Sequence, residues 1–250
     1  MKIKKIGFFM LIIGIFTSAS IISNAALDSN EKVSKKEITS LLEEAEEQSN
    51  IDNGYLEHIT ISTEDGYVLD TYVDRENYLE QIDEYENGEL VSRKIFYDEG
   101  RKLLSIGKDN GEYGAVVMTL DPEIAAENKR LFDEVSQIES YVSDVSKSSR
   151  SISFKKKQIL DSSIVKYSSK NINLYFDESS NNFLTKQEDL KDGKVYQTTE
   201  YEKISKKSKA GKSLFSQTSP LNNNESGSIL DDIETIYINQ EKDVPLDEAR

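Results

Sequence analysis

The segment from Asp121 to Lys147 constrains the fold most, because no other long stretch of the chain keeps an uninterrupted helical period. Its apolar residues recur at alternating spacings of four and three, with Asn128 at the one polar position: Ile124, Leu131, Val135, Ile138, Val142 and Val145. Such spacing aligns side chains on one face of an α-helix. The sequence therefore predicts a single long helix over residues 121–147, with one apolar face that needs a partner.

The N-terminus has the pattern of an export signal. Lys2, Lys4 and Lys5 precede an apolar run over residues 6–22, and small residues follow it at 23–25. Signal peptidases cleave after small residues in this position, so we expect a signal peptide over residues 1–25. The alternative is that the segment is kept as a membrane anchor. We expect an extracytoplasmic protein, either secreted or in the cell envelope.

A first helix and two runs of strands flank the central segment. Ser34 and Glu37 have the spacing of a capping box, which predicts that a helix begins there. Residues 55–120 and 158–204 are short segments rich in Ile, Val, Tyr and Thr, separated by turn dipeptides such as Asn87-Gly88. Such dipeptides favour tight hairpins, and the connections are too short for crossover helices. This pattern predicts an α+β fold with an antiparallel sheet in one domain over residues 26–204.

The composition changes after this domain. Residues 205–228 are rich in Lys, Ser, Asn and Gly and have few apolar side chains, which is typical of a flexible loop. Residues 229–250 are predicted to form a C-terminal strand and a tail. We place the strand at Thr235–Asn239, because Thr-Ile-Tyr-Ile is rich in residues that favour strands.

The sequence offers little for catalysis or metal binding. It has no cysteine and His58 is its only histidine, so the usual zinc ligand sets are absent. The segment Ala210-Gly211-Lys212-Ser213 lacks the earlier glycine that a phosphate-binding loop requires. The acidic residues do not have the alternating spacing of a calcium loop. We predict a protein that is not an enzyme and needs no cofactor and no metal.

The net charge limits the classes of partner. The full chain has a formal net charge of −15, and loss of three lysines with the signal changes it to −18. Such a charge argues against nucleic acid and against an anionic membrane as general partners. It favours solubility or a basic ligand, and we expect no stable membrane insertion after signal cleavage.

Two stretches carry a resemblance to a known family, namely residues 94–102 and residues 173–194. Over residues 35–204 the order of parts resembles the lipoprotein-carrier half-barrel family, envelope proteins related to LolA and LolB. The resemblance implies a curved antiparallel sheet, an incomplete β-barrel, wrapped around the N-terminal helix and the long central helix. It also implies an apolar cavity for a lipid, a lipopeptide or a segment of an envelope protein partner, and no catalytic residues.

The candidates for lining this cavity are apolar residues of the central helix and the strands: Phe96, Leu131, Val135, Ile138, Ile172, Leu174 and Phe176. We expect Leu131 to pack against the concave face of the sheet; alternatively, the helix is a lid whose apolar face is only partly packed. The predicted function is non-enzymatic binding. The alternatives are a structural or protein-interaction module with a filled core, and a hydrolase.

Overall fold

The structure is a computed structural model that describes residues 31–50, 53–109, 112–134, 136–149, 152–158, 163–215 and 235–239. The predicted signal peptide, residues 216–228 of the predicted loop, and Val135 lie outside these ranges. The described residues contain the α-helices α1 (Lys35–Ser49), α2 (Pro122–Glu134), α3 (Gln137–Ser149) and α4 (Lys209–Ser213). A short 3-10 helix spans Glu178–Ser180.

The strands of the described residues form one sheet. They are β1 (Glu31–Lys32), β2 (Tyr55–Thr63), β3 (Tyr67–Asp74), β4 (Leu79–Glu86), β5 (Glu89–Tyr97), β6 (Lys102–Asp109), β7 (Glu112–Thr119), β8 (Lys155–Gln158), β9 (Ile164–Ser168), β10 (Ile172–Asp177), β11 (Phe183–Lys191), β12 (Lys194–Ser205) and β13 (Thr235–Asn239). Their order is β1-β8-β9-β10-β11-β12-β2-β3-β4-β5-β6-β7-β13. Neighbours are antiparallel, except that β13 pairs in parallel with β7. The sheet is curled but not closed, and the fold class is α+β.

Local sequence chemistry explains most of these elements. The strand predicted at Thr235–Asn239 is present as β13. Asn87 and Gly88, with φ of 52° and 81°, join β4 to β5, and two consecutive left-handed residues make a turn whose twist matches that of paired strands. The first helix starts as predicted, since Ser34 Oγ accepts a hydrogen bond from the Glu37 amide at 3.1 Å.

The main core lies between helices α1 and α3 and one face of strands β2 and β9 to β12. It contains Ile38, Leu41, Leu42, Ala45, Ile59, Ile138, Val142, Val145, Phe154, Val165, Tyr167, Ile172, Leu174, Phe176, Phe183, Leu184 and Tyr201. Full burial of one such side chain stabilises the fold by about 1.5 to 3 kcal/mol, so this cluster dominates the packing energy. A smaller cluster, of Ile95, Leu104, Ile106 and Ala115, lies on the opposite face of β5 to β7.

The central segment forms two helices where the sequence predicts one. Helix α2 ends at Glu134 and α3 begins at Gln137, with Ser136 before it. Ser136 Oγ accepts a hydrogen bond from the Glu139 amide at 3.2 Å, as the cap at the start of a helix does. The prediction of one long helix is therefore wrong, because Ser136 starts a new helix inside an apolar pattern that continues through both.

The first part of the predicted loop also contains regular structure. Lys206 Nζ lies 2.7 Å from Asp74 Oδ1 and 2.8 Å from Glu76 Oε2. Helix α4 follows, and the Phe215 amide then donates a hydrogen bond to Gln81 Oε1 at 3.0 Å. This part of the predicted flexible loop is ordered because Lys206 is paired with two carboxylates and Phe215 is hydrogen-bonded to β4.

Candidate functional site

Four side chains from consecutive strands form a row on the sheet face that carries the main core. The strand register pairs Glu57 of β2 with Val73 of β3. It then pairs Val73 with Glu80 of β4, and Glu80 with Phe96 of β5. Paired residues project from the same face of a sheet. The register therefore places a buried acid, an aliphatic side chain, a second acid and an aromatic ring side by side.

Glu57 and Arg75 hold the two helix ends that meet above this row. Glu57 Oε2 accepts hydrogen bonds from the Ser136 hydroxyl and the Ile138 amide, each at 3.0 Å. Arg75 Nε donates to the Phe132 carbonyl at 2.9 Å, and Nη2 donates to the next carbonyl of the chain at 3.3 Å. A helix start is partly positive and a helix end partly negative. The acid therefore stabilises the start of α3, and the arginine stabilises the end of α2.

Two clefts open at this junction and share Glu57, Val73, Arg75 and Phe132 in their linings. The polar cleft has a volume of about 240 Å³, and its other lining residues are Asn53, Tyr55, Glu76, Asp133 and Lys206. The apolar cleft, between α2 and the strands, has a volume of about 170 Å³, and its other lining residues are Glu80, Phe96, Asn128, Leu131, Ser136, Gln137 and Ser140. Both lie below the volume of about 300 Å³ at which pockets for whole small molecules usually begin. Each cleft suits a side chain better than a complete lipid.

Helix α2 is attached to turns of the sheet by polar contacts and leaves part of its apolar face exposed. Asn128 Nδ2 donates to the Gly100 carbonyl at 3.3 Å, in the turn between β5 and β6. The Tyr78 hydroxyl, in the turn between β3 and β4, donates to Asp133 Oδ1 at 2.9 Å. The large exposed apolar residues of α2 are Ile124, at 50%, and Leu131, at 55%. Of these two residues, Leu131 lines the apolar cleft and is accessible to a partner there.

Burial perturbs both acids of the row. It raises the pKa of Glu57, while the hydrogen bonds from Ile138 and Ser136 oppose that rise. Burial also raises the pKa of Glu80, which accepts a hydrogen bond from Gln137 Nε2 at 2.7 Å. The cause is the removal of the carboxylate from water, which disfavours its charged form. Ionisation of both acids is therefore favoured by any ligand that brings a positive charge to the site.

The residues predicted to line a cavity fall into three groups. Leu131 and Phe96 line the apolar cleft together. Val135 lies outside the described residues. The remaining four are packed in the main core: Ile138, Ile172, Leu174 and Phe176. The expectation that Leu131 packs against the sheet is wrong, because the helix break lets only the apolar face of α3 join the main core.

His58 lies on the other face of the sheet and forms a separate charged network. Its ring stacks on Tyr72 with centroids 4.3 Å apart, Nδ1 lies 3.2 Å from Glu202 Oε2, and Nε2 lies 3.3 Å from Asp70 Oδ1. Burial by itself lowers the pKa of His58, but the hydrogen bonds to the two carboxylates outweigh it and raise this pKa to about 9. A histidine that is protonated at neutral pH cannot accept a proton as a general base must.

Sequence reasoning missed the helix junction and its acid, although the sequence carries a signal for each. Ser136-Gln137-Ile138-Glu139 repeats the capping-box pattern that opens α1. Glu57 shares a strand face with Ile59, where an apolar side chain is the ordinary choice, so an acid there indicates a buried polar role. Arg75 gives no such signal, because it follows the end of β3 in a turn.

No protein-family model and no curated protein matches the chain. Within the part of the chain that the structure describes, no α-helix combines the length and the hydropathy needed to span a membrane. The same residues contain no group of three or more acidic or histidine side chains arranged to hold a metal ion.

Proposed function

We propose that this chain is a non-enzymatic binding protein that works outside the cytoplasm and receives a segment of a partner protein in the apolar cleft. The observation that carries the proposal is the exposure of Leu131 beside that cleft. Apolar side chains exposed next to a concave site are typical of protein–protein interaction surfaces. Phe96 supplies an aromatic surface from the strands, so the partner segment contacts both the helix and the sheet.

The dimensions of the site favour a partner segment over a lipid. The apolar cleft has a volume of about 170 Å³, and the interior behind it is filled by Ile138, Leu174 and Phe176, each with 0% exposure. A pocket that encloses a molecule with an acyl chain needs several hundred Å³. The filled core supports the alternative of a protein-interaction module that works through an exposed face.

Helix α2 serves as the lid of this site. It contacts the sheet through hydrogen bonds to turns, at Gly100 and Tyr78, and buries only the side chains of Ala125 and Phe132, whereas the apolar face of α3 belongs to the main core. Elements with few buried apolar contacts open at low free energy. From the resemblance to the half-barrel carriers we carry over one feature, a curved sheet that wraps around helices, here α1 and α3. The movement of α2 over the open part of the sheet when a ligand binds is our own addition.

Selection of peptides from a random library displayed on phage, against the purified chain, tests this function. The selected peptides are expected to bind Leu131→Asp at least tenfold more weakly than the unmodified chain. Val195→Asp is the matched control, because Val195 is also exposed, at 39%, and lines neither cleft. Peptides that bind Leu131→Asp as tightly as the unmodified chain would contradict the proposal. So would a stoichiometric amount of lipid in an organic-solvent extract of the purified protein.

A further inference from the structure

Glu57 Oε1 is a buried acceptor for which the described residues supply no hydrogen-bond donor. The side chain of Glu57 is 1% exposed. Its other oxygen takes both donors of the helix start, the Ser136 hydroxyl and the Ile138 amide. A buried acceptor without a donor destabilises a fold, and a charged one does so more strongly. A ligand that brings a donor to this oxygen removes that penalty.

Arg75 is close to this oxygen but is committed to other acceptors. Its Nε lies 3.9 Å from Glu57 Oε1, which is too long for a hydrogen bond. The same Nε donates to the Phe132 carbonyl, and Nη2 donates to the Asp133 carbonyl. These two bonds hold the guanidinium at the end of α2. Arg75 therefore offsets part of the charge of Glu57 but donates no hydrogen bond to Oε1.

Among the charged side chains in the rest of the lining of the two clefts, acids outnumber bases by three to one. Glu76, Glu80 and Asp133 contribute three more carboxyl groups. The ammonium of Lys206 is held by Asp74 and Glu76, at 2.7 Å and 2.8 Å. The full chain has a formal net charge of −15. Clefts with an excess of one sign of charge concentrate ligands of the opposite sign, so the excess of carboxyl groups at this site favours cations over anions.

Apolar side chains stand next to the acid. Val73 and Phe132 line both clefts, and Phe96 and Leu131 line the apolar cleft. Lysine and arginine have aliphatic stems that pack on apolar surface while the charged end reaches a polar group. One buried acceptor with apolar side chains around it is therefore complementary to lysine or arginine: the acceptor suits the charged end, and the apolar side chains suit the stem.

We propose that the site receives a lysine or arginine side chain of an apolar peptide segment, whose charged nitrogen donates a hydrogen bond to Glu57 Oε1. The stem of that side chain packs on Val73 and Phe132, and the flanking apolar residues of the segment contact Leu131 and Phe96. This inference rests on the proposed function and specifies the chemistry of the partner: a cationic residue with apolar neighbours.

Isothermal titration calorimetry with two defined peptides tests this inference. The first is acetyl-Leu-Phe-Lys-Leu-Leu-amide, and the second has norleucine in place of lysine, which keeps the stem and removes the charge. The lysine peptide is expected to bind the unmodified chain at least tenfold more tightly than the norleucine peptide. This advantage should disappear in Glu57→Gln and persist in Glu64→Gln, since Glu64 is an exposed acid that lines neither cleft.

The remaining outcomes separate the two proposals. Equal binding of both peptides, weakened in each case by Leu131→Asp, overturns the cation site and leaves the proposed function standing. Equal binding that Leu131→Asp does not change, or no binding by either peptide at millimolar concentration, overturns both.

Carbon-13 NMR of the Glu57 carboxyl in the unmodified chain covers the case in which Glu57→Gln does not fold. The lysine peptide should lower the pKa of Glu57 and the norleucine peptide should not; an unchanged pKa with both overturns the cation site.

Discussion

Several ionisable side chains are buried in this sheet. The hydrogen-bond donors and charged groups around each one determine whether its charged form is stabilised. Asp83 of β4 accepts hydrogen bonds from Arg93 and from Gln81, so a buried carboxyl has a cation beside it. Glu57 is different, because its donors engage one oxygen only. A buried ion pair that is fully hydrogen-bonded is complete without a ligand. A buried acceptor without a donor is not, and a ligand that donates a hydrogen bond to it binds more tightly for that reason.

His58 makes the stability of the fold depend on pH. Its folded pKa of about 9 lies above the ordinary value of 6.5, so protonated His58 stabilises the fold fully below pH 6.5, and the contribution is lost as the pH rises through about 9. Because Glu202 is 63% exposed and partly screened by solvent, we expect a loss of about 1 to 2 kcal/mol over this range. Denaturant unfolding at pH 6.5 and at pH 9 measures the free energy of unfolding at each end.

His58→Gln is the control for this prediction, since the chain has no other histidine that titrates in the same range. The free energy of unfolding of His58→Gln should change less between the two pH values than that of the unmodified chain. Parallel profiles for the two proteins would mean that the ion pairs with Asp70 and Glu202 do not stabilise the fold.

At the scale of the elements, α2 depends on a close approach to the turn between β5 and β6. Gly100 has a φ of +77°, and a Cβ added there would lie 2.8 Å from the Cβ of Asn128. Gly100→Ala therefore combines left-handed strain, about 1 kcal/mol, with a steric clash of about 1 to 3 kcal/mol. Gly193→Ala is a matched control, because Gly193 has a φ of +78° and open space around it. Equal losses in the free energy of unfolding would show that α2 does not rest on this turn.

The two helices of the central segment share one apolar pattern but use it differently. Leu131 of α2 is 55% exposed, whereas Ile138 of α3 is 0% exposed and belongs to the main core. We expect Ile138→Ala to lower the free energy of unfolding by about 2 to 5 kcal/mol. Leu131→Ala should lower it by less than about 0.5 kcal/mol. Chemical denaturation of both variants measures these changes, and comparable losses would mean that α2 is packed as firmly as α3.

This contrast shows what the sequence can and cannot predict. Turn dipeptides such as Asn87-Gly88 act locally, so the strands and hairpins follow from the chain itself. A helical period predicts which residues share a face, but not which element covers that face, and Leu131 was therefore misplaced. Glu57 and Arg75 meet at the site because β2 pairs with β3. Both side chains also contact the junction of α2 and α3, which is distant in sequence. No local pattern encodes such an arrangement.

At the scale of the whole molecule, the main core and the smaller cluster of the described residues lie on opposite faces of one sheet. The main core joins α1 and α3 to β2 and β9 to β12, and the small cluster joins β5 to β7. The candidate site lies on the main-core face where the cover changes from α3 to α2. Elements that move on ligand binding usually belong to the less stable part of a fold. Helix α2 fits this rule, because it contributes no residue to the main core.

Hydrogen exchange should therefore divide the sheet into two parts. Amides of β9 to β11 and α3 are expected to exchange only through global unfolding, whereas those of β5 to β7 exchange through a smaller opening that leaves the main core intact. Ile95→Ala and Ile138→Ala are matched perturbations, because the two side chains are 1% and 0% exposed. Ile95→Ala should accelerate exchange in β4 to β7 and leave β9 to β11 unchanged, while Ile138→Ala should accelerate exchange in both parts. Exchange that rises equally everywhere in both variants would mean that the sheet opens as one unit, and α2 could not then act as a lid independently of the core.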